Sequence, residues 1–164
     1  MGGVSFKVTD RDRGWKALGQ RLKGARDTYV RVGVLPGRRR DGADAATVAA
    51  AHEFGAPDIG LPERSFLRRS FDAKLRDLDA QLRRAVGALF DGKGDARGIL
   101  VDAGEQLAQA ARDFILSGRV SPPDKPETLR EKAKKGALKT LVTTGQLVRS
   151  IAVRVDLQRD GGRR

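Results

Sequence analysis

Hydrophobic residues alternate with polar ones in three separate stretches of the chain, and this period of two predicts β-strands. The stretches are "VSFKVTD" at residues 4–10, "TYVRVGV" at residues 28–34 and "IAVRV" at residues 151–155. Successive side chains of a strand point to opposite faces, so each stretch has one apolar face to bury. Pro36-Gly37 predicts a turn directly after the second strand.

Apolar residues spaced by three and four positions predict helices elsewhere in the chain. The stripes occupy residues 12–25, 44–54, 71–89 and 100–114, and residues 146–150 make one further helical turn. Asp44 is suited to cap the second helix and Gly55 to end it. Gly92 and Gly94 separate the two long helices, and Gly118 closes the second of them.

The order of these elements, β-α-β-α-α-α-loop-β, predicts a single α+β domain over residues 1–164. Three strands make a small, mostly antiparallel sheet, which is too little for a parallel doubly wound fold. The two long helices should cover one face of the sheet. The other face, or the sheet edges, would then be open to neighbouring molecules.

Residues 119–140, "RVSPPDKPETLREKAKKGALKT", have a different composition from the rest of the chain. Pro122, Pro123 and Pro126 argue against a regular helix, and the lysines that follow lack an apolar stripe. We therefore expect an extended basic loop or arm that orders fully only against a partner. Residues 158–164, "QRDGGRR", should form a frayed tail.

Composition narrows the class of protein. The 164 residues are 39% hydrophobic and 33% charged, which is typical of a globular protein with a solvated loop or tail. The chain has no cysteine, so disulfides and thiolate sites are excluded and a reducing, cytosolic origin is expected. No window approaches the roughly 20 apolar residues of a membrane span, and the N-terminus does not resemble a signal peptide. We expect a soluble protein that makes no membrane contact.

The net charge of +12 is concentrated toward the C-terminus. Residues 119–164 carry 12 basic and 5 acidic groups, so they hold +7 of the total. Such a patch is explained either by a solvated tail or by a footprint for a polyanion or an acidic protein surface. One alternative is therefore a nucleic-acid-binding protein, although residues 119–139 have no aromatic side chain to stack on bases. The basic residues of this arm are Arg119, Lys125, Arg130, Lys132, Lys134, Lys135 and Lys139.

His52 and Glu53 invite a catalytic or metal-binding interpretation, which the rest of the chain does not support. A metalloprotease helix needs a second histidine four residues later, where this chain has Ala56, and it has no other histidine. There is no "GxSxG" motif and no glycine-rich phosphate loop. We expect no catalytic set, no metal site and no cofactor. His52 is better explained as a residue at a helix C-terminus, where imidazole favours the negative end of the dipole, with Phe54 packed inward.

Three stretches of the chain nevertheless resemble the motifs of a known family, and they occur in the same order as in that family. "AAAHEFGAPDIGLPERSFLRRSFD" resembles the "H-x-F/Y-G … I-P-x-R-x-F-L" signature of phage tail-completion and virion-morphogenesis proteins. "KTLVTTGQLVRSIAVRV" is similar to the "L-x-x-T-G-x-L-x-x-S-I" ending of the same family. Between them, Ser121-Pro122, Thr128 and the lysines of 132–139 match its "S-P-x-T … K" segment loosely. The chain departs from the family pattern at residues 63–65 and 142–143.

The resemblance implies a structural protein of the virion neck or tail top, made in the cytoplasm of the bacterial host. Such proteins commonly form a ring, usually six-fold, between head connector and tail tube, through which genomic DNA passes without sequence readout. Phe66 and Leu67 are candidate interface anchors, although Phe66 could equally begin the helix core with Phe71. The full set of subunit-interface candidates is His52, Phe54, Gly55, Pro62, Arg64, Phe66, Leu67, Thr144 and Gly145.

Overall fold

The computed structural model describes residues 14–26, 28–37, 42, 44–134, 136, 139–142 and 145–157. Its elements are α1 (Trp15–Arg26), β1 (Thr28–Val34), α2 (Ala45–Phe54), a 3₁₀ turn (Pro57–Ile59), α3 (Leu67–Phe90), α4 (Ala96–Leu116), α5 (Pro126–Ala133), α6 (Gln146–Ser150) and β2 (Ile151–Leu157). The strand predicted at residues 4–10 and the tail at 158–164 lie outside the described residues, as do Lys135 and Thr144. None of the described helices is long and apolar enough to cross a membrane.

The α+β class predicted from the sequence is confirmed. Strands β1 and β2 pair antiparallel, with Val30 opposite Val155 and Val32 opposite Val153. Helix α4 lies across both strands and α3 packs along α4, so the two long helices form the layer against the sheet. Gly104 is the point of closest approach, because a Cβ built there would lie 2.6 Å from Val30 Cγ1 and 2.9 Å from Val153 Cγ1.

The opposite face of the sheet carries charged residues. Arg31 Nε donates to Asp156 Oδ2 at 2.6 Å, and Arg154 Nε lies 3.1 Å from Asp156 Oδ1. The hydrogen bond from Arg31 is the main reason that the pKa of Asp156 lies below its ordinary value, and the charges of Arg31 and Arg154 lower it further. This ion pair links β1 to β2 on the side that α4 leaves open.

The main apolar core lies between α4, β2 and the start of α3. Phe66, Ile115 and Ile151 are its largest fully buried side chains, and Ala108 and Ala111 supply the flat face of α4. Since Phe66 is 0% exposed within a single chain, it belongs to the core and is not available as an interface anchor. Leu67 beside it is half-buried and packs against the same core.

The predicted ends of α2 are confirmed. Asp44 Oδ2 accepts a hydrogen bond from Thr47 N at 2.8 Å, and Asp44 Oδ1 accepts one from Gly37 N at 3.0 Å. These bonds, the one from Thr47 first, lower the pKa of Asp44. Gly55 follows the helix with φ of 77°. The side chain of Asp44, which accepts a hydrogen bond from Gly37 directly after Pro36, therefore fixes how the chain passes from β1 into α2.

The prediction that residues 119–140 contain no regular helix is wrong for Pro126–Ala133, which form α5. Proline is tolerated in the first turn of a helix because its missing N–H would have no intrahelical partner there. Pro126 occupies that position, so it starts α5 where it was expected to prevent a helix. The described part of the segment also contacts the body of the protein, through the buried ion pairs described below. Whether it orders only against a partner stays a prediction.

Candidate functional site

The carboxylate of Glu53 accepts four hydrogen bonds at the start of α3. Its oxygens receive Ser65 Oγ at 2.7 Å, Phe66 N at 2.8 Å, Leu67 N at 2.9 Å and Arg68 N at 3.0 Å. The first backbone N–H groups of a helix have no partner within it, and the helix dipole favours a negative charge beside them. Phe66 at the N-cap supplies no side-chain bond. Glu53, at the end of α2, therefore caps α3.

His52 and Glu53 are the pair that suggested catalysis, and Glu53 has a structural role. It is buried, and each of its oxygens already accepts two hydrogen bonds. His52 lies in the last turn of α2, as predicted, and its carbonyl oxygen accepts a hydrogen bond from Arg64 N at 2.7 Å. The described residues contain no group of three or more His, Cys, Asp or Glu side chains that could hold a metal ion.

Gly55 lets the chain that follows the 3₁₀ turn pass directly against the end of α2. A Cβ at residue 55 would lie 2.9 Å from Glu63 N, a distance that requires something to shift, and φ of 77° is unfavourable for other residues. The loop is closed by the bridge between Ala56 and Leu61. Gly55 thus has a backbone function.

Arg64 is buried and holds the proline-rich segment to the body of the protein. Its Nε donates to Pro122 O at 2.9 Å, and its Nη2 donates to Pro123 O at 3.3 Å. The same Nη2 lies 3.2 Å from Asp124 Oδ1, and Asp124 Oδ2 lies 2.7 Å from Lys132 Nζ. The side chains of Arg64, Asp124 and Lys132 are 6%, 7% and 12% exposed, so this ion triad is shielded from solvent.

Phe54 does not pack inward as expected. It is 68% exposed, and the guanidinium of Arg68 lies 5.8 Å from its ring centroid. Ile59 in the neighbouring 3₁₀ turn is 76% exposed, and Pro62 is also exposed. Phe54 and Pro62 therefore remain on the surface, where an interface residue must lie, whereas Arg64 and Phe66 do not.

A cleft of about 310 Å³ brings together segments that are far apart in the sequence. Gly145, which directly precedes α6 and has φ of 70°, lies at one side of it. Three cationic side chains and one carboxylate contribute to its wall. The lining residues are Val48, His52, Gly60, Leu61, Pro62, Arg64, Asp124, Lys125, Thr128, Lys132, Leu141, Gly145, Gln146 and Leu147.

Most of the basic residues of the predicted arm already have partners within the chain. Lys132 pairs with Asp124, Lys134 Nζ lies 2.6 Å from Glu131 Oε1, and Lys139 donates to the carbonyl oxygen of Leu116. Arg119 donates to Ser117 Oγ at 3.1 Å, and its guanidinium lies 5.7 Å from the centroid of the Phe114 ring. Within the described chain, Lys125 and Arg130 are the two exposed members of this set whose side chains make no hydrogen bond or ion pair.

The sequence did not reveal the two arrangements that organise this region, the Glu53 cap and the ion triad. One signal was present: α2 reads "AATVAAAHEF", so Glu53 is the only carboxylate of an otherwise uncharged helix. The helix has no other charged residue that would mark a solvent-exposed face. A single acidic residue in such a helix is therefore more often buried and hydrogen-bonded. No local signal marks Asp124, because its partners come from residue 64 and from the following helix.

Comparison with protein-family models, curated proteins and solved structures gives no match for this chain.

Proposed function

We propose that the protein is a structural subunit of the neck or tail top of a tailed phage or related particle, forming a ring that joins the tail tube to the head connector. The ring, six-fold by the family resemblance, would let genomic DNA pass through its lumen without reading its sequence. No chemistry on a substrate is part of this proposal.

The observation that supports the proposal best is the composition of the cleft. Each of the three stretches that carry the family resemblance contributes to its lining: His52 and Pro62 from the first along the chain, Thr128 from the second, and Gly145 from the third. These residues come from α2, the loop after it, α5 and the start of α6, and the fold brings them to one cleft. Their meeting favours the resemblance as an ordered set over three independent coincidences.

Charge gives the proposal further support. A chain with a net charge of +12 is suited to a lumen through which DNA passes, because phosphate contacts need no sequence-specific groups. The nucleic-acid-binding alternative uses the same charge, but it requires the basic arm to be available. Lys132 is instead held in an ion pair with Asp124 that is shielded from solvent.

The test is deletion of the gene from the phage or prophage genome that carries it, followed by electron microscopy of the lysate. We expect DNA-filled heads and separate tails, and joined particles again when the wild-type chain is supplied from a plasmid. Native mass spectrometry of the purified chain, alone and with tail tubes, should show a closed ring. Joined, infectious particles at the normal titre without the gene would contradict the proposal.

A further inference from the structure

We propose that the 310 Å³ cleft binds an acidic peptide segment that also carries an apolar side chain, contributed by a neighbouring protein of the assembly. The inference rests on the proposed function for the source of the peptide. The binding chemistry itself follows from the residues that line the cleft.

The charges around the cleft favour an anionic ligand. Arg64, Lys125 and Lys132 line it together with a single carboxylate, Asp124. Both oxygens of that carboxylate are already engaged, one with Arg64 and the other with Lys132, so its negative charge is compensated inside the protein. The exposed Lys125 forms no ion pair within the described chain and adds positive charge to the wall. A carboxylate entering the cleft would therefore meet a net positive surface in a partly desolvated place, where ionic attraction is stronger than in water.

The size of the cleft and its apolar lining residues favour a ligand that also carries an apolar side chain. The cleft is large enough for about ten water molecules at about 30 Å³ each, which corresponds to one large side chain with its flanking backbone. Its apolar lining residues are Val48, Leu61, Pro62, Leu141 and Leu147. Ligand sites commonly combine such an apolar wall with a few polar groups that fix orientation.

The same observations disfavour two other occupants. A second copy of this chain is a poor occupant of this cleft, because a chain with 33 basic and 21 acidic residues offers few acidic segments. Contacts between copies in a ring would use other surfaces. Single-stranded nucleic acid is bound by stacking of bases on aromatic side chains, and the described lining contains no Phe, Tyr or Trp. Duplex DNA is far wider than the cleft. An acidic partner protein fits both the local and the overall charge.

The test measures fluorescence anisotropy of labelled hexapeptides with the purified full-length chain. EELFEE is the acidic probe, QQLFQQ keeps the apolar centre without charge, and EEGGEE keeps the charge without the apolar centre. We expect EELFEE to bind more tightly than either of the other two peptides.

Two substitutions with matched controls locate the binding. Thr128→Trp plugs the cleft from the exposed face of α5 and should weaken EELFEE binding about tenfold or more, whereas Ala133→Trp, on the same helix outside the cleft, should not. Lys125→Gln should weaken binding about threefold to fivefold, while Arg130→Gln, which removes the same charge from α5 outside the cleft, should have a smaller effect.

Several outcomes would overturn the inference. Equal binding of EELFEE and EEGGEE, or equal effects of Lys125→Gln and Arg130→Gln, would reduce it to general attraction by a basic protein. A short DNA duplex whose binding is lost with Thr128→Trp would assign the cleft to nucleic acid. Self-association that Thr128→Trp abolishes, without EELFEE binding, would assign it to a second copy. The peptide assay requires no virion, so its failure leaves the assembly role standing, and a normal titre after gene deletion leaves the measured peptide binding standing.

Discussion

Glu53 determines where α3 begins. The helix starts at Leu67 without a side-chain cap of its own and with no acidic residue in its first turn, while Arg68 and Arg69 occupy it. Positive charge near a helix N-terminus is unfavourable. A carboxylate from α2 offsets this and receives three backbone N–H groups at once. The stability of a 24-residue helix is thus tied to a residue thirteen positions before its N-cap.

The Glu53 cap gives a prediction for unfolding. Glu53→Gln removes the negative charge and replaces one acceptor oxygen by an NH₂ group, which cannot accept from a backbone N–H, so at least one of the four hydrogen bonds is lost. We expect the free energy of unfolding in urea to fall by about 2–3 kcal/mol, since hydrogen bonds to buried charged groups are the strong ones. Glu63→Gln is the control: its side chain is 53% exposed, and the change should stay within about 0.5 kcal/mol. Equal effects of the two substitutions would show that Glu53 does not cap the helix.

Asp156 gives a prediction for acid stability. Its folded pKa is lowered by the hydrogen bond from Arg31, so its stabilising contribution is fully present above the ordinary value of 3.8 and is lost as pH falls through the lower folded value. Wild type should exceed Asp156→Asn in stability at pH 6, and the difference should shrink as pH falls below 3.8. Urea midpoints over a pH series measure it. Asp72→Asn, on the exposed side of α3, is the control, and a wild-type advantage that does not change with pH would contradict the assignment.

At the scale of elements, the closest contact of the fold lies between α4 and the sheet. Gly104 is buried in the middle of α4, where a glycine weakens a helix, yet a methyl group there would overlap Val30 and Val153. The missing side chain lets the helix approach the strands closely enough for its alanine face to pack. Close packing between α4 and the sheet therefore outweighs helix propensity at this position.

Two alanine substitutions in helices should have opposite effects. Gly104→Ala gains up to about 1 kcal/mol of helix propensity but should lower the free energy of unfolding by about 1–3 kcal/mol, because the added methyl overpacks the interface. Gly87→Ala, in α3, has no atom within 4 Å of the added Cβ and should raise stability by about 0.5–1 kcal/mol. Thermal unfolding monitored by circular dichroism compares them. Stabilisation by both changes would mean that α4 is free to move away from the sheet.

Elements with a local physical cause could be predicted from the sequence, and those that depend on distant residues could not. Asp44 and Gly55 bound α2 as expected, and Ile151 begins the last strand. The inward packing of Phe54 was wrong, because the end of α2 buries Glu53 and leaves Phe54 outside. The prediction of no regular helix around Pro126 was wrong, because proline is tolerated in the first turn, where Pro126 begins α5.

For the molecule as a whole, the Arg64–Asp124–Lys132 triad decides whether the basic segment is an arm or part of the body. The sequence shows only that residues 119–140 are rich in proline and lysine, which favours a solvated loop. The decisive partner is Arg64, almost sixty residues earlier, which binds the carbonyl oxygens of Pro122 and Pro123. A contact between such distant segments leaves no periodic trace in either of them. The segment therefore forms one wall of the cleft.

Breaking the triad should release that wall. Asp124→Ala leaves Arg64 and Lys132 buried without their carboxylate, and loss of one member of a buried ion pair typically costs about 3–5 kcal/mol. Replacing all three by apolar residues, as in Arg64→Met with Asp124→Leu and Lys132→Met, removes the uncompensated charge and should recover much of this loss.

Limited trypsin digestion of the native proteins measures the release of the segment. Asp124→Ala should be cleaved fastest after Arg130, while wild type resists and the triple variant falls between them. The same cleavage rate in wild type and Asp124→Ala would mean that the hydrogen bonds from Arg64 to the proline carbonyls hold the segment without the ion pairs.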